Sequence, residues 1–380
     1  METAQATSAA GRPVYQPLHP DVRARLDPDY IQLHEDVLRY VPRSETLPWT
    51  ADSRSAPSPM AHGGQKLSDV GSVEDRPLGV DGEVQARIFT PSGTPPPQGW
   101  PIFVWFHGGG WVVGGLASEN GFLTHICKRT SSHPLFFSKS IFSLLTPRTD
   151  IHCVVISINY RHAPEHVYPT AADDSYAGLE WVLSADTIEQ LHLDQSKVAL
   201  GGLSAGGGLA SIVGLKAADA AYATTVKPCF QMLICPVIDN TATVESAWAA
   251  SQHSPWLTPT RMQWYRNKYF VGDAQKQTAE WTASPCFAPN ELLARSPPTF
   301  LAIAGCDLLA PEATDFAEKL RVAGVPVDVQ TYPGGTHSML ILAGIHQTGK
   351  KVVHDASAAL ARAFGTSYDA EAAPVLSLEA

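Results

Sequence analysis

Between residues 83 and 364 the chain alternates two textures of apolar and polar positions. Glu83–Thr90 alternates as a half-buried strand does. Pro101–Phe106 (PIFVWF), Cys153–Ile158 (CVVISI), Lys197–Leu200 (KVAL), Phe230–Val237, Thr299–Ala304 and Val327–Tyr332 are short apolar runs bounded by turn residues. Such runs suit strands buried on both faces. Glu119–Arg129, Ala171–Ser184, Leu209–Ala218, Ala310–Ala323 and Val352–Phe364 instead carry helical spacing. Strands and helices taking turns predict an α/β fold, a mostly parallel central sheet with helices on both faces.

The flanks read differently. Residues 1–18 are expected to be a disordered leader. Val22, Leu26, Tyr30, Leu33, Val37 and Val41 then recur at helical spacing, with a break at Asp27-Pro28. Residues 42–72, rich in Ser, Pro and Gly, read as a loop. One stretch fits nothing else. After the helix at 119–129 a short connection suffices, yet Ser131–Thr149 (SSHPLFFSKSIFSLLTPRT) is long and apolar without a clean period. It reads as an exposed insertion, as from a retained intron, rather than a lipid-binding flap.

Composition narrows the function classes. The hydrophobic fraction is 44%, the charged fraction 17% and the formal net charge −10. That balance suits a sizeable core and argues against a nucleic-acid partner, which needs a basic face. The first residues show no basic and apolar leader of the secretory kind, and no run reaches the roughly 18 apolar residues of a membrane span. We therefore expect a cytoplasmic protein with no obligatory membrane partner. The six cysteines are scattered, without metal-like spacing, and are expected to be reduced. No metal or cofactor is expected.

The chemistry sits where strands end. Gly202-Leu203-Ser204-Ala205-Gly206 follows KVAL and precedes a helix, the context of a nucleophile elbow. The glycines two before and two after the serine leave room for a tight turn. A phosphate loop is disfavoured, because no GK[ST] follows. His107-Gly108-Gly109-Gly110-Trp111 follows PIFVWF, where an oxyanion loop belongs. Glycines there let main-chain N–H groups approach a developing oxyanion. Gly108, Gly109 and Ala205 are the expected donors, with His107 and Gly110 supporting the loop. An acid and a histidine should follow in that order, each after a later strand. TFLAIAG ends at Cys306-Asp307, and VDVQTY ends at Pro333-Gly334-Gly335-Thr336-His337. Ser204 is thus the candidate nucleophile, His337 its base and Asp307 the group that orients the histidine. His346 and His354 are expected to be exposed.

These residues resemble the hormone-sensitive lipase-like group of α/β hydrolases, marked by an HGGGW loop and a GDSAGG elbow. The resemblance covers residues 80–365 and includes NYRHAPEHVYPTAADD at 159–174, similar to the family's YRLAPE and PAALDD segments. Two departures stand out: Leu203 replaces the aspartate before the nucleophile, and Leu309-Ala310-Pro311-Glu312 alters the segment after Asp307. The resemblance implies a core of residues 73–239 and 286–368 and a helical cap built from residues 19–72 and 240–285, leaving 369–380 as a tail. Trp111, Leu203, Trp256 and Trp264 are the candidate pocket residues. It implies a serine carboxylesterase acting on short- to medium-chain esters. An amidase or formamidase, a biosynthetic thioester or lactone hydrolase, and a non-catalytic small-molecule receptor are the alternatives.

Overall fold

The apolar runs become the inner strands of one sheet. The computed structural model describes residues 11–54, 58–78, 82–128, 151–222, 226–371, 373 and 376–378. Its strands are β1 (Ser72–Leu78), β2 (Val84–Thr90), β3 (Trp100–Phe106), β4 (Val154–Asn159), β5 (Leu193–Leu203), β6 (Phe230–Ile234), β7 (Thr299–Ala304) and β8 (Val327–Tyr332). They lie in the order β1-β2-β4-β3-β5-β6-β7-β8. β1 pairs antiparallel with β2, and β2 with β4; every other pairing is parallel. The fold is the α/β-hydrolase arrangement.

Side chains along a strand point alternately to opposite faces, and β3 shows the consequence. Ile102, Val104 and Phe106 join one buried cluster, and Phe103 and Trp105 another. Helices α4 (Thr170–Val182), α6 (Ala205–Ala218) and α10 (Ala310–Val322) cover the first face; α3 (Asn120–Cys127) and α11 (Gln347–Ala363) cover the second. All residues of α6 are buried, so the helix behind Ser204 is held on every side. The remaining helices are α1 (Pro20–Arg23), α2 (Pro28–Asp36), α5 (Ala185–Leu191), α7 (Pro259–Tyr269), α8 (Ala274–Thr278) and α9 (Asn290–Leu293). The register Phe106↔Gly202, Leu203↔Ile234 and Ala304↔Tyr332 aligns the carboxyl ends of β3, β5, β6, β7 and β8 at one edge. Ligand sites of parallel sheets form at that edge.

Several expectations change. β1 begins where the stretch read as loop ends and was given no element, because it is an edge strand with mostly exposed positions and carries Pro77. The helical pattern over residues 21–41 breaks before Pro28 as read, between α1 ending at Arg23 and α2, but α2 stops at Asp36 and a single 3-10 turn follows at Leu38–Tyr40. The Ser-, Pro- and Gly-rich stretch contains 3-10 turns at Ser44–Thr46, Ala51–Arg54 and Pro59–Gly63. Residues 11–18 are not loose: Val14 and Gln16 are buried, and the Tyr15 N–H donates to Arg39 O. The tail also docks, pairing Leu378 with Gln65. His346 is buried rather than exposed, because it closes the start of α11 against α2; His354 is half-buried beside Tyr368. The insertion at 131–149 lies outside the described residues. No described helix is long and apolar enough to cross a membrane, and all six cysteines are free thiols.

Candidate active site

β5 runs straight into α6, and the turn between them is one residue wide. Ser204 occupies it with φ 59° and ψ −120°, a conformation that costs an ordinary residue of order 1–3 kcal/mol. The surroundings hold it there. The Ser204 N–H donates to Ile234 O at 2.9 Å, and its carbonyl accepts from the Val237 N–H at 3.0 Å. A side chain at Gly202 would collide with Gly206 O, and one at Gly206 with Phe106 O. The glycine spacing therefore follows from backbone contact across the turn.

Asp307 and His337 reach the serine from the ends of β7 and β8. The Gly305 N–H bonds to Tyr332 O at 2.7 Å and the Cys306 N–H to Gly335 O at 2.9 Å, tying the two loops together. His337 Nε2 then lies 2.9 Å from Ser204 Oγ, and His337 Nδ1 2.8 Å from Asp307 Oδ2. Asp307 is 1% exposed, and its Oδ1 accepts the Leu309 N–H at 3.3 Å. The buried Cys235 thiol also donates to the Asp307 carboxylate, which raises the thiol pKa further above a value already lifted by burial. The three residues expected from strand order are thus one hydrogen-bonded relay. Cys235 was not anticipated, since an apolar run gives no sign of which cysteine ends beside an acid.

The glycine loop is pinned through its carbonyls. Tyr160 stacks on His107 with ring centroids 4.4 Å apart, and its hydroxyl donates to His107 O at 2.9 Å. His107 Nδ1 donates to Gly108 O at 2.7 Å. Burial lowers the pKa of His107 to about 4, so its ring is neutral where it contacts the loop. The Val112 and Val113 N–H groups both donate to Gly109 O. The Gly108 N–H, however, is turned to the carboxyl of Glu119, which also accepts from Trp105 Nε1 at 3.2 Å. Among the described residues the Gly109 and Gly110 N–H groups have no such partner. Of the expected donors Gly108, Gly109 and Ala205, Gly108 thus has a carboxyl beside its N–H, whereas Gly109 and, outside that set, Gly110 do not. Glu119 escaped the sequence reading because it looks like an ordinary polar residue starting a helix. Its backbone is left-handed at φ 52°, it makes no cap hydrogen bond, and burial raises its pKa to about 7.

The pocket candidates divide. Leu203 is 2% exposed beneath Gly108, and Trp111 is 3% exposed, stacked on Tyr269 at 4.6 Å. Leu203 packs against the glycine loop and Trp111 within the aromatic cluster. Trp256 carries the Arg261 guanidinium on its ring at 4.6 Å and lines a cavity of about 550 Å³ with Gln16, His34 and His253; no triad residue lines it. Trp264 packs edge-on against Trp49 and Tyr265. Tyr265 is the α7 residue that meets the glycine loop: a side chain at Gly110 would run into its ring.

Comparison with known proteins places this geometry. Residues 139–341 match a family described as alpha/beta hydrolase fold. An AB hydrolase superfamily protein of Schizosaccharomyces pombe is 33% identical over 357 residues, covering 92% of this chain and 97% of its own. The carboxylic ester hydrolase LipN of Mycobacterium tuberculosis is 32% identical over 70% of this chain and 63% of its own. A gibberellin receptor of Oryza sativa is 29% identical over 65% of this chain and 63% of its own. The crystallised ester hydrolase EH1AB1 from the metagenome of Lake Arreo superposes with a TM-score of 0.74 at 27% identity, over 92% of this chain and 100% of that one. The chain belongs to the hormone-sensitive lipase-like group of the α/β-hydrolase family.

Proposed function

We propose that this carboxylic ester hydrolase works through an acyl-enzyme on Ser204. The relay Ser204–His337–Asp307 is the observation that carries the reading. His337 accepts the Ser204 proton as Oγ attacks the ester carbonyl, and Asp307 holds the ring in the tautomer that can accept it. Negative charge then develops on the carbonyl oxygen, where the Gly109, Gly110 and Ala205 N–H groups supply preorganised donors. His337 returns the proton to the departing alcohol. Water, deprotonated by the same histidine, attacks the acyl carbonyl, and collapse of that intermediate frees the acid and returns a proton to Ser204.

Residues 19–72 and 240–285 form the cap in this reading. They meet each other through the Arg261–Glu45 ion pair at 2.9 Å, and they meet the glycine loop through Tyr265 and through Arg54, which donates to Val112 O at 2.9 Å. Ser204 is only 8% exposed beneath this cover. A serine covered this closely favours short- to medium-chain soluble esters over bulky lipid aggregates. Rates on p-nitrophenyl esters of graded acyl length test this. A maximum between acetate and octanoate is expected, and a rate jump above the substrate's solubility limit contradicts it. Anilides and thioesters in the same panel address the amidase and thioesterase readings. A fluorophosphonate probe must label Ser204 in the wild type; a receptor with a dead site stays unlabelled.

A further inference from the structure

Away from the serine, two aspartates that bracket the start of α2 converge on the buried histidine that precedes α11. Asp27 Oδ2 lies 3.2 Å and Asp29 Oδ1 3.3 Å from His346 Nε2. One ligand atom from each residue falls within 4.8 Å of the other two. We propose that Asp27, Asp29 and His346 bind one divalent cation of the zinc class at the seam between the N-terminal segment and the core.

The distances suit a metal better than a proton. Nitrogen and oxygen ligands bonded to zinc at about 2.0–2.1 Å stand about 3.3–3.4 Å apart along a tetrahedral edge. A charge-assisted N–H···O bond draws its atoms to about 2.7–2.9 Å. His346 has a side chain 1% exposed, yet neither ring nitrogen makes a hydrogen bond of acceptable geometry. Nor does the ring cap α11, where His346 is the N-cap residue. A buried imidazole aimed at two carboxylate oxygens without bonding either is the second observation, beside the acidic pair, that points to a ligand.

The carboxylates are already oriented. Asp27 Oδ2 accepts from Thr348 Oγ1 at 2.5 Å. Asp29 Oδ1 accepts the Tyr30 N–H at 2.8 Å, and its Oδ2 the Gln347 N–H at 2.8 Å. Each oxygen retains a lone pair, so these bonds act as the outer-shell supports that metal-ligating carboxylates usually have. Charge agrees. The end of α11 offers only about half a positive charge to two carboxylates. One imidazole and two carboxylates favour zinc over magnesium or calcium, which prefer all-oxygen sets. The aspartate side chains are 30% and 33% exposed, which gives the ion access and leaves a fourth position to water.

Such an ion fastens α2 to the loop that carries His337. The Asp27 N–H already donates to Gly334 O at 3.2 Å. The site does not depend on the hydrolytic reading, and its test does not use turnover. Full-length protein, stripped with a chelator and dialysed, is titrated calorimetrically with zinc chloride, and its melting temperature is read with and without the metal. Wild type is expected to bind one equivalent and to melt higher with zinc. His346→Gln, Asp29→Asn and Asp27→Asn are each expected to weaken binding at least tenfold and to abolish the thermal shift. The two asparagine variants keep side-chain size and an amide oxygen, so they carry the test if the glutamine variant fails to fold. His337→Ala removes a ligand of the other cluster, Cys235–Asp307–His337, and is expected to leave the seam site unaffected. No stoichiometric binding, binding unchanged in the three seam variants, or binding lost with His337→Ala each overturns the proposal.

Discussion

The floor of the site and the cap proposed over it are built by different physics. The floor is a backbone structure. Ser204 at φ 59°, Gly202 and Gly206 in contact across the elbow, and Gly109 at φ 120° are places where the main chain itself allows few residues. The cap is a side-chain structure. Arg261 and Glu45, each 3% exposed, pair across 216 residues of sequence. Arg266, also buried, donates to Ala242 O and Asp239 O and lies over the Trp248 ring at 4.3 Å. A floor made by main chain tolerates almost no substitution. A cap made by pairs tolerates replacement of a pair together, but not of one member.

The sharpest way to test this division is at the floor. Ser204→Ala is expected to lower kcat/KM by several orders of magnitude while leaving the denaturation midpoint within about 1 kcal/mol of wild type, since triad members act as a unit. Retention of a tenth of the activity removes Ser204 from the mechanism. The cap should respond in the opposite sense. Glu45→Leu strands the Arg261 guanidinium and is expected to cost about 3–5 kcal/mol of stability. Adding Arg261→Met should recover most of that loss in urea unfolding. If the double variant is no more stable than the single one, the pair is not the organising contact of the cap.

The same contrast explains what could be read from the chain. Strand ends at Phe106, Ala304 and Tyr332 were legible because inner parallel strands are unbroken apolar runs, while β5 was read as ending at Leu200 and runs on through Gly201 and Gly202 to Leu203; the order of residues after these strands then selected Ser204, Asp307 and His337. The surroundings of the loop amides were not legible. Gly108 and Gly110 are the same residue type, and the Glu119 carboxyl beside the first and the Tyr265 ring beside the second tell them apart. β1 was missed because an edge strand with one solvated face carries no apolar run. The surroundings of the candidate pocket tryptophans were not legible for a related reason: composition marks them as apolar, but long-range partners such as Tyr269 and Trp49 decide where each ring packs.

Glu119 lies between the two regimes, a side chain that sets main-chain direction. Glu119→Gln keeps the size but replaces one carboxyl oxygen by an NH₂ that cannot accept from Trp105 or Gly108. We expect kcat to fall about ten- to a hundredfold with KM nearly unchanged, as when oxyanion donors are displaced. A phosphonate transition-state analogue should lose affinity in parallel. A rise in KM alone would mean that Glu119 shapes substrate binding instead.

The smallest expected effect concerns pH and tests whether floor and cap share one electrostatic design. Burial raises Glu119 beneath the glycine loop and Glu312 beneath the cap from 4.5 to about 7. For these carboxyls the native state binds more protons than the unfolded chain between those values. Their stability contribution therefore improves as pH falls from about 7 toward 4.5. Burial moves the histidines the other way: His107 drops from 6.5 to about 4, His125 to about 3 and His162 to about 2. The unfolded chain takes up those protons first, so their contribution is lost as pH falls below 6.5. Below 6.5 these three histidines, joined by His34, His346 and His354, whose pKa values burial also lowers, oppose two carboxyls; above it the carboxyls act alone. Urea midpoints measured from pH 5 to 8 should peak near 6.5, falling clearly on the acid side and gently on the alkaline side. Glu312→Gln, compared by slope rather than by absolute midpoint, should flatten the alkaline fall and steepen the acid one. A wild-type midpoint that climbs steadily from 6.5 to 8, or a variant whose slopes match the wild type, would show that these buried carboxyls do not titrate with folding.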